Sequence, residues 1–300
     1  RTTAYDAIVI GGSFAGLSAA MQLARARRPV CVVDAGAPRN RFAAASHGFF
    51  GLDGMAPQAM LAQARQQLLA YPSVRFVAAR ALTAAQDASG FSLQLDTGER
   101  LAGRKLLLAA GVRDVLPDLP GLAERWGTSV LHCPYCHGYE FGGQRLGVLY
   151  RMPLSLHQAQ LIADWGPTTL FLDGHALAAD EAALLQAKGI AVVPGPVLAL
   201  EGSGPQLDGV RLADGRVPLD ALFLAPRIDN LASPLAAPLG CAFDEAPAGP
   251  VLRVDGMGMT SVPGVHAAGD GAMAWHNATL ASADGVRAGA ALHRALVFGG

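Results

Sequence analysis

The sequence predicts an α/β protein of two domains, each with a central parallel sheet, flanking helices and a smaller antiparallel element. Its 300 residues exceed what one core usually supports. Two stretches, 6–34 and 147–172, each follow the order strand, turn, helix, strand, which is typical of a parallel pair with a helical crossover. Two others, 91–111 and 210–226, are matched strand–turn–strand runs that lead into a buried strand. Their similarity suggests that both domains share one plan.

The composition describes a compact, soluble protein. Hydrophobic residues make up 51% of the chain, with 36 glycines, 19 prolines and a formal net charge of −1, which indicates many tight turns. The near-neutral charge gives no sign of a nucleic-acid or membrane-surface partner. Apolar runs such as 105–112 stop far short of the roughly 18 residues that a spanning helix needs. The first predicted strand leaves no room for a leader, so we expect a cytoplasmic, thiol-reducing location.

The N-terminal stretch has every part of a dinucleotide cradle in the right order. A strand over 6–10 enters a glycine turn, an alanine-rich helix follows over 17–26, and a second strand over 30–33 ends at Asp34. Glycines let the backbone approach a pyrophosphate, while the helix N-terminus offers N–H groups and partial positive charge. Asp34 stands where a carboxylate accepts from a ribose 2′-hydroxyl. The candidate binding residues of the turn are Gly11, Gly12, Ser13, Phe14, Ala15 and Gly16.

A plain packing turn is the alternative for these glycines, but the order of strand, turn, helix, strand and acid favours dinucleotide binding. Ser13 takes the place of the middle glycine of the usual pattern. It adds a Cβ near the phosphates and a hydroxyl that could donate to them. We expect less tolerance of geometry there, without loss of binding.

Two later stretches bring small residues and an acid to strand ends. The first, RKLLLAAGVRD, contributes Ala109, Ala110 and Gly111, and the second, TSVPGVHAAGDGAMAW, contributes Gly269 and Asp270. With these pieces the chain resembles flavoproteins that have two dinucleotide-binding domains. In that family the glycine turn binds FAD, a small-residue turn passes beneath it, and the aspartate of a late Gly-Asp contacts the ribityl and pyrophosphate region. Taken alone, Asp270 would read as a helix N-cap.

The resemblance implies two Rossmann-like domains, the second inserted into the first. The FAD domain would take residues 1–116 and 247–300, and the inserted domain residues 117–246. The family also implies a homodimer and a loop along the cofactor, where Arg39 and Asn40 are candidate contacts. Ordinary solvent-exposed turn residues would give the same sequence pattern at these two positions.

Cys133 and Cys136 stand three positions apart in LHCPYCHGYE, in a chain with only two other cysteines. That spacing suits a zinc knuckle, a structural disulfide or a dithiol catalyst. Pro134 restricts the turn and leaves two thiols close enough to bridge. A metal would need two further ligands at compatible spacing. The histidines adjacent to the pair, His132 and His137, and the other two cysteines, Cys31 and Cys241, are poorly placed for that role.

This arrangement resembles low-molecular-weight thioredoxin reductases, which carry an active CxxC on the inserted domain. By that resemblance Cys136 is the flavin-side sulfur and Cys133 meets the substrate. His137 follows the second cysteine where those reductases usually have aspartate, and an imidazole there can accept or return a thiol proton near neutral pH. An exposed turn histidine is the alternative. His276, near the flavin edge in this family, has either a role at the dithiol or flavin, or a capping or solvent-facing position.

A thioredoxin reductase should repeat the glycine cradle in its inserted domain to bind NADPH. Here the strand–helix–strand frame of 147–172 has Tyr150, Arg151, Met152 and Pro153 as its turn. Bulky side chains would obstruct a pyrophosphate, and proline removes an N–H donor. Asp173 follows the second strand without a nearby arginine, so NADPH recognition is not expected, although Asp173 could in principle read the ribose of NADH.

Three functions follow from these observations. The first is oxidation of a small-molecule dithiol through CxxC and FAD to oxygen or another acceptor, as in natural-product dithiol oxidases, which share the histidine after CxxC. The second is reduction of a thioredoxin-like protein with electrons from ferredoxin or another protein donor. The third is a flavin redox sensor that does not turn over. His137 favours the first.

Overall fold

The computed structural model describes residues 4–299, which pack into two compact units. The first comprises 4–41, 57–114 and 228–299, and the second comprises 42–56 and 115–227. Residues 42–56, 115–116 and 228–246 therefore group differently from the sequence-based division. Packing units need not coincide with folding domains, so that division stays a prediction.

The elements alternate between strands and helices along the chain. The strands are β1 (Ala4–Ile10), β2 (Val30–Asp34), β3 (Val74–Ala78), β4 (Ala81–Asp87), β5 (Gly90–Leu95), β6 (Arg100–Leu108), β7 (Val112–Val115), β8 (Val130–Leu131), β9 (Leu146–Leu149), β10 (Thr168–Phe171), β11 (Ala191–Val193), β12 (Ala199–Glu201), β13 (Gly209–Leu212), β14 (Gly215–Pro218), β15 (Ala221–Phe223), β16 (Arg227–Asn230), β17 (Phe243–Ala246), β18 (Gly249–Leu252) and β19 (Val265–Ala267). The helices are α1 (Phe14–Arg25), α2 (Pro57–Leu69), α3 (Pro134–His137), α4 (Leu154–Ile162), α5 (Ala179–Ala187), α6 (Ser233–Ala236) and α7 (Ala278–Phe298). Two 3-10 turns cover Arg39–Phe42 and Ala123–Arg125.

A seven-stranded sheet forms the centre of the first unit. Its order is β3-β2-β1-β6-β5-β4, and β19 pairs with the carboxyl half of β6. Strands β1, β2, β3, β6 and β19 are parallel, while β4 and β5 run antiparallel to their neighbours. The carboxyl ends of the parallel strands therefore meet at one edge of the sheet, the usual place for a ligand in such folds.

Helices α1 and α7 cover one face of this sheet at very close range. A Cβ on Gly285 would lie 2.1 Å from the carbonyl oxygen of Ala15, and one on Gly289 would lie 2.6 Å from that of Ala19. Real Cβ atoms are excluded at such distances, so glycine is required at both positions. The small residues of α7 thus fix the position of α1, the helix that begins at the glycine turn.

The second unit has a five-stranded parallel sheet, in the order β11-β10-β9-β15-β8, and a three-stranded antiparallel sheet, β12-β13-β14. The predicted strand–turn–helix–strand of 147–172 is β9, α4 and β10, with each element starting or ending up to three residues from its expected position. The α/β class, with parallel sheets and smaller antiparallel elements, is confirmed. Within residues 4–299, no helix is long and apolar enough to cross a membrane.

One buried histidine makes the stability of the first unit dependent on pH. His266, in β19, is 1% exposed, and its Nδ1 has no hydrogen-bond partner among residues 4–299. Burial lowers the pKa of His266 to about 4, helped by the charge of Lys105 and opposed by Asp255. The unfolded chain therefore binds more protons than the folded chain between about pH 4 and the usual histidine value of about 6.5.

We expect stability to fall as the pH is lowered through this window. Between about pH 7.5 and pH 5 the His266 contribution to the free energy of unfolding is roughly 2 kcal/mol. Urea unfolding of the wild type and of His266→Leu, at a fixed FAD concentration, isolates that term as the difference between their pH dependences. Parallel pH dependences in the two proteins would contradict the account.

Candidate active site

Three loops of the first unit lie side by side where the parallel strands end. Beyond the strands the backbone hydrogen bonds continue, from Gly11 N to Val33 O at 2.8 Å, from Ala109 N to Ile10 O at 2.7 Å and from Ala268 N to Leu108 O at 3.1 Å. The sheet thereby brings together the glycine turn, the turn of Ala110 and Gly111, and the Gly269–Asp270 segment. These residues are up to about 260 positions apart in sequence.

The glycine turn is a tight cradle with no room for larger residues. Gly11 has φ +108°, and a Cβ on it would lie 2.1 Å from the carbonyl oxygen of Ala109. A Cβ on Gly16 would lie 1.8 Å from the carbonyl oxygen of Gly11, and one on Gly12 would lie 2.7 Å from Cβ of Asp34. Gly11 and Gly16 therefore let one backbone segment approach another closely, and Gly12 leaves room for the side chain of Asp34.

Helix α1 begins directly at this turn. Ser13 is its N-cap residue, but the serine side chain makes no capping hydrogen bond. The helix starts at Phe14, three residues before Leu17, where the alanine-rich run predicted its first residue. The amide of Gly12 donates to Oδ1 of Asp34 at 3.0 Å, which holds the carboxylate beside the turn.

Arg39 links two carboxylates of the first unit. Its Nη1 donates to Oδ2 of Asp270 at 3.0 Å, and its Nε donates to both oxygens of Asp114 at 3.1 Å. The side chains of Arg39, Asp114 and Asp270 are only 19, 10 and 18% exposed, so these pairs are poorly screened by water. Asn40 follows in the same 3-10 turn.

Two predicted site residues, Asp270 and His276, could instead have been helix caps, but the structure assigns that role to another residue. The N-cap of α7 is Asn277, whose side chain accepts from the amides of Thr279 and Leu280, so neither Asp270 nor His276 caps that helix. Asp284, a buried residue of α7, accepts from the amide of Gly269 at 2.8 Å. This contact holds the Gly269–Asp270 segment against α7.

His276 lies half-buried beside the charged cluster of Arg39, Asp114 and Asp270. One ring nitrogen, Nε2, is 3.0 Å from the carbonyl oxygen of Met273. Burial lowers the pKa of His276, and the carboxylate of Asp270 opposes this while Arg39 adds to it. A neutral imidazole near pH 7 follows.

In the second unit Cys133 and Cys136 form a disulfide around the start of α3, with Cα atoms 5.4 Å apart. The other two cysteines are buried free thiols: burial raises the pKa of Cys31 to about 11 and also raises the pKa of Cys241. Neither is a reactive thiolate near neutral pH. Across residues 4–299, no group of three or more His, Cys, Asp or Glu side chains is arranged to hold a metal.

His137 ends α3 and is half-buried, next to a second histidine that the sequence did not single out. Burial lowers the pKa of His137, the carboxylate of Glu140 opposes this, and His47 adds to it. His47 lies between two acids, with Nε2 at 3.4 Å from Oε1 of Glu140 and Nδ1 at 3.5 Å from Oδ1 of Asp53. The loop 42–56 therefore contributes charge to the environment of the CxxC pair.

The turn of residues 150–153 makes its contacts within the second unit. The amides of Arg151 and Met152 both donate to the hydroxyl of Ser155, at 3.0 and 3.4 Å. Arg151 lies 3.6 Å from Asp173, whose other oxygen accepts from the amide of Val197 at 2.9 Å. The amides and the acid that would face a nucleotide in a glycine cradle are therefore bonded to the protein itself.

Comparison with known proteins agrees with this architecture. A model of the pyridine nucleotide-disulphide oxidoreductase family matches residues 5–148. Thioredoxin reductase tcpT of Claviceps purpurea (strain 20.1) is 37% identical over 286 residues, 89% of this chain and 87% of that protein. Thioredoxin reductase sirT of Leptosphaeria maculans is 32% identical over 96% of this chain and 93% of its own length. The crystal structure of an oxidoreductase from Agrobacterium tumefaciens has a TM-score of 0.93 at 42% identity, covering 99% of this chain and 100% of that one.

The chain belongs to the thioredoxin reductase-like branch of the pyridine nucleotide-disulphide oxidoreductases. It is a flavin-dependent oxidoreductase that acts on sulfur groups, and its cofactor is FAD. The resemblance drawn from the glycine turn, the small-residue turn, the late Gly-Asp and the CxxC pair is confirmed.

Five residues with contacts at these sites escaped the sequence analysis: His47, Asp114, Glu140, Ser155 and Asp284. The CxxC motif itself could have drawn attention only to Glu140, which is four residues after Cys136. His47 lies 86 residues before Cys133 in a glycine-rich loop that carries no periodic signal.

Proposed function

We propose that this protein oxidises a dithiol substrate to a disulfide and passes the two electrons through FAD to oxygen or another acceptor, without NADPH. The observation that carries this proposal is the turn 150–153. The hydroxyl of Ser155 accepts hydrogen bonds from the amides of Arg151 and Met152. Asp173 forms an ion pair with Arg151 and accepts a hydrogen bond from the amide of Val197. A pyrophosphate would have to displace these contacts as well as two bulky side chains. Electrons from NADPH therefore have no suitable entry at this turn.

The chemistry of the cysteine pair is a double thiol–disulfide exchange. A substrate thiolate attacks Sγ of Cys133, the Cys133–Cys136 bond breaks, and Cys136 leaves as a thiolate. The second substrate thiolate then attacks the first substrate sulfur, which releases the substrate disulfide and leaves Cys133 reduced. Bound FAD would supply the two-electron acceptor for reoxidation of the pair, and oxygen, as the final acceptor, would be reduced to hydrogen peroxide. Two thiols of the substrate lose two electrons and two protons in each cycle.

The proposed cofactor site is the strand edge of the first unit. The turn from Gly11 to Gly16 would hold the pyrophosphate and Asp34 the ribose. Ala110, Gly111, Gly269 and Asp270 would line the remainder of the cofactor, with Arg39 holding Asp270 and Asn40 nearby. The close backbone approaches at Gly11 and Gly16 support this fit, because a cradle this tight admits phosphate groups to the amides.

Proton transfer is assigned to His137. Its imidazole accepts the proton of a reacting thiol, and the lowered pKa keeps it neutral and able to do so near pH 7. His276 is assigned the corresponding task at the flavin side, on the evidence of its lowered pKa beside Asp270.

Replacing Glu140 by glutamine should move the pH dependence of the dithiol reaction toward lower pH. Without the carboxylate that opposes the effect of burial, the pKa of His137 falls further, so its neutral form persists at lower pH. Because Glu140 is 42% exposed, the effect corresponds to about 0.5 kcal/mol. The measurement is the rate of anaerobic flavin reduction by dithiothreitol across about pH 5 to 9.

The sign of this effect has an internal control. Burial is the main cause of the lowered pKa of His137, and His47 adds to it, so the profile of His47→Gln should move toward higher pH. Glu124→Gln, another exposed acid of the second unit, should leave the profile unchanged. Equal shifts in the same direction for Glu140→Gln and His47→Gln would refute this role.

The opposite direction of electron flow is the second candidate. The curated relatives are named thioredoxin reductases, which supports reduction of a thioredoxin-like protein with electrons from ferredoxin or another protein donor. A non-turnover sensor is the third, and an acid–base histidine beside a reducible pair argues against it.

The test is a turnover assay in an oxygen electrode with purified holoprotein. Dithiothreitol alone should drive oxygen uptake, with one oxygen consumed per disulfide formed. If uptake requires NADPH, or if only reduced ferredoxin together with oxidised thioredoxin supports turnover, the oxidase proposal fails. No turnover with any donor would favour the sensor.

We further propose a homodimer in the cytoplasm. Exposed apolar residues on the last helix, Val286, Val297 and Phe298, support self-association, and the two free buried thiols suit a thiol-reducing compartment. Light scattering of the purified protein would measure the mass directly.

A further inference from the structure

Helix α4 carries two buried polar side chains on one face. Ser155 is fully buried and Gln158 is 7% exposed, three residues further along the helix. Their neighbours on the same face, Ala159 and Ile162, are fully buried apolar residues. The spacing 155, 158, 159 and 162 is that of a core-facing helical stripe, where polar residues need a reason to be present.

Ser155 accounts for the turn 150–153, as described above. Gln158 reaches a different segment: its Nε2 donates to the carbonyl oxygen of His132 at 2.8 Å. His132 immediately precedes Cys133, which is the N-cap residue of α3. The buried side-chain amide of Gln158 therefore connects α4 to the backbone segment just before the disulfide.

The other end of this amide is unusual. Oε1 of Gln158 is buried and has no hydrogen-bond partner within residues 4–299. An unpaired buried acceptor is destabilising by more than a typical hydrogen bond contributes. Stability alone would therefore favour an apolar side chain of the same size at this position.

We propose that Gln158 is a positioning residue of the redox site, through which α4 holds the CxxC loop in place. Through the hydrogen bond to His132, Gln158 fixes the backbone from which Cys133 meets Cys136. This deepens the proposed function, since it rests on Cys133 and Cys136 being the redox pair.

The physical consequence concerns the equilibrium between dithiol and disulfide. A backbone held in place keeps the two sulfurs near each other in the reduced state, which raises their effective concentration and favours closure of the bond. Removing the hydrogen bond from Gln158 to His132 should lower the equilibrium constant for oxidation of the cysteine pair by glutathione about tenfold. This corresponds to a rise of about 30 mV in the midpoint potential of the pair.

The experiment compares Gln158→Met with the wild type in anaerobic glutathione buffers. Methionine keeps the volume and removes both the donor and the unpaired oxygen. The fraction of reduced Cys133 and Cys136 in the holoprotein is counted by alkylation and mass spectrometry. Neither dithiol substrate, NADPH nor oxygen is used, so the result stands independently of the direction of turnover.

The matched control is Gln160→Met on the same helix, because Gln160 donates to Leu156 O of its own helix. We expect Gln158→Met to lower the equilibrium constant about tenfold while the Tm is unchanged or raised, and Gln160→Met to leave the constant unchanged. A constant within about twofold of the wild type for Gln158→Met, or an equal fall in Gln160→Met, would overturn the proposal. If Gln158→Met does not fold, Gln158→Leu is read by the same criteria.

Discussion

Replacing Cys136 by serine should leave a yellow holoprotein whose flavin is no longer bleached by excess dithiothreitol in the absence of air. Serine cannot form a disulfide with Cys133, so electrons from the dithiol have no route to the flavin through this pair. The rate of bleaching should fall to that of direct reaction between the reductant and the flavin. The local fold should survive, because α3 is held by backbone bonds such as Gly138 N to Pro134 O.

Cys241→Ser provides the matched control for that experiment. Cys241 is a buried free thiol, and its sulfur lies 3.6 Å from the hydroxyl of Thr260. Its replacement should leave bleaching by dithiothreitol intact. Rapid bleaching of Cys136→Ser would show that the dithiol reaches the flavin without the CxxC pair.

Replacing Gly11 by alanine should strip the protein of its flavin. The added Cβ would meet the carbonyl oxygen of Ala109 at 2.1 Å and the amide nitrogen of Ala110 at 2.9 Å, in a backbone with φ +108°. Either the glycine turn or the turn of Ala110 and Gly111 must move, and both belong to the proposed FAD site. Overpacking of this kind costs about 1–3 kcal/mol, and the strained φ adds about 1–2 kcal/mol.

FAD titration of the apoprotein, with circular dichroism to verify the fold, measures this effect. We expect the affinity to weaken by about a hundredfold or more, since 1.4 kcal/mol corresponds to a factor of ten. Gly98→Ala is the control, because Gly98 also has positive φ, +86°, but no atom of residues 4–299 beyond its chain neighbours lies within 4 Å of its added Cβ. Equal FAD affinity for the wild type and Gly11→Ala would contradict the cradle assigned here.

The sequence predicted the local parts of this protein well, because they depend on short-range rules. The order of strand, glycine turn, helix and acid around Gly11 and Asp34 follows from backbone periodicity and from the φ that only glycine adopts easily. Helix α1 still began earlier than expected, since the alanine-rich run marks the middle of a helix better than its first turn.

Contacts across long sequence distances were not predictable in the same way. The bond from Gln158 to His132 requires α4 to pack beside the segment before α3, and the loop with His47 lies 93 residues before Glu140. No spacing rule links such residues, because their proximity arises only when helices and strands pack together. The turn at 150–153 was predictable only in part. Its bulky residues were visible in the sequence, whereas the hydrogen bonds that Ser155 accepts from it were not.

The central claim is that electrons enter through the Cys133–Cys136 pair from a dithiol and not from NADPH. Rapid-mixing absorbance of the holoprotein without air, against dithiothreitol in one experiment and NADPH in another, tests it most directly. The account predicts fast flavin bleaching by dithiothreitol, recovery of the oxidised spectrum when air is admitted, and an unchanged spectrum with NADPH. Fast bleaching by NADPH, or an unchanged spectrum in dithiothreitol, would contradict it.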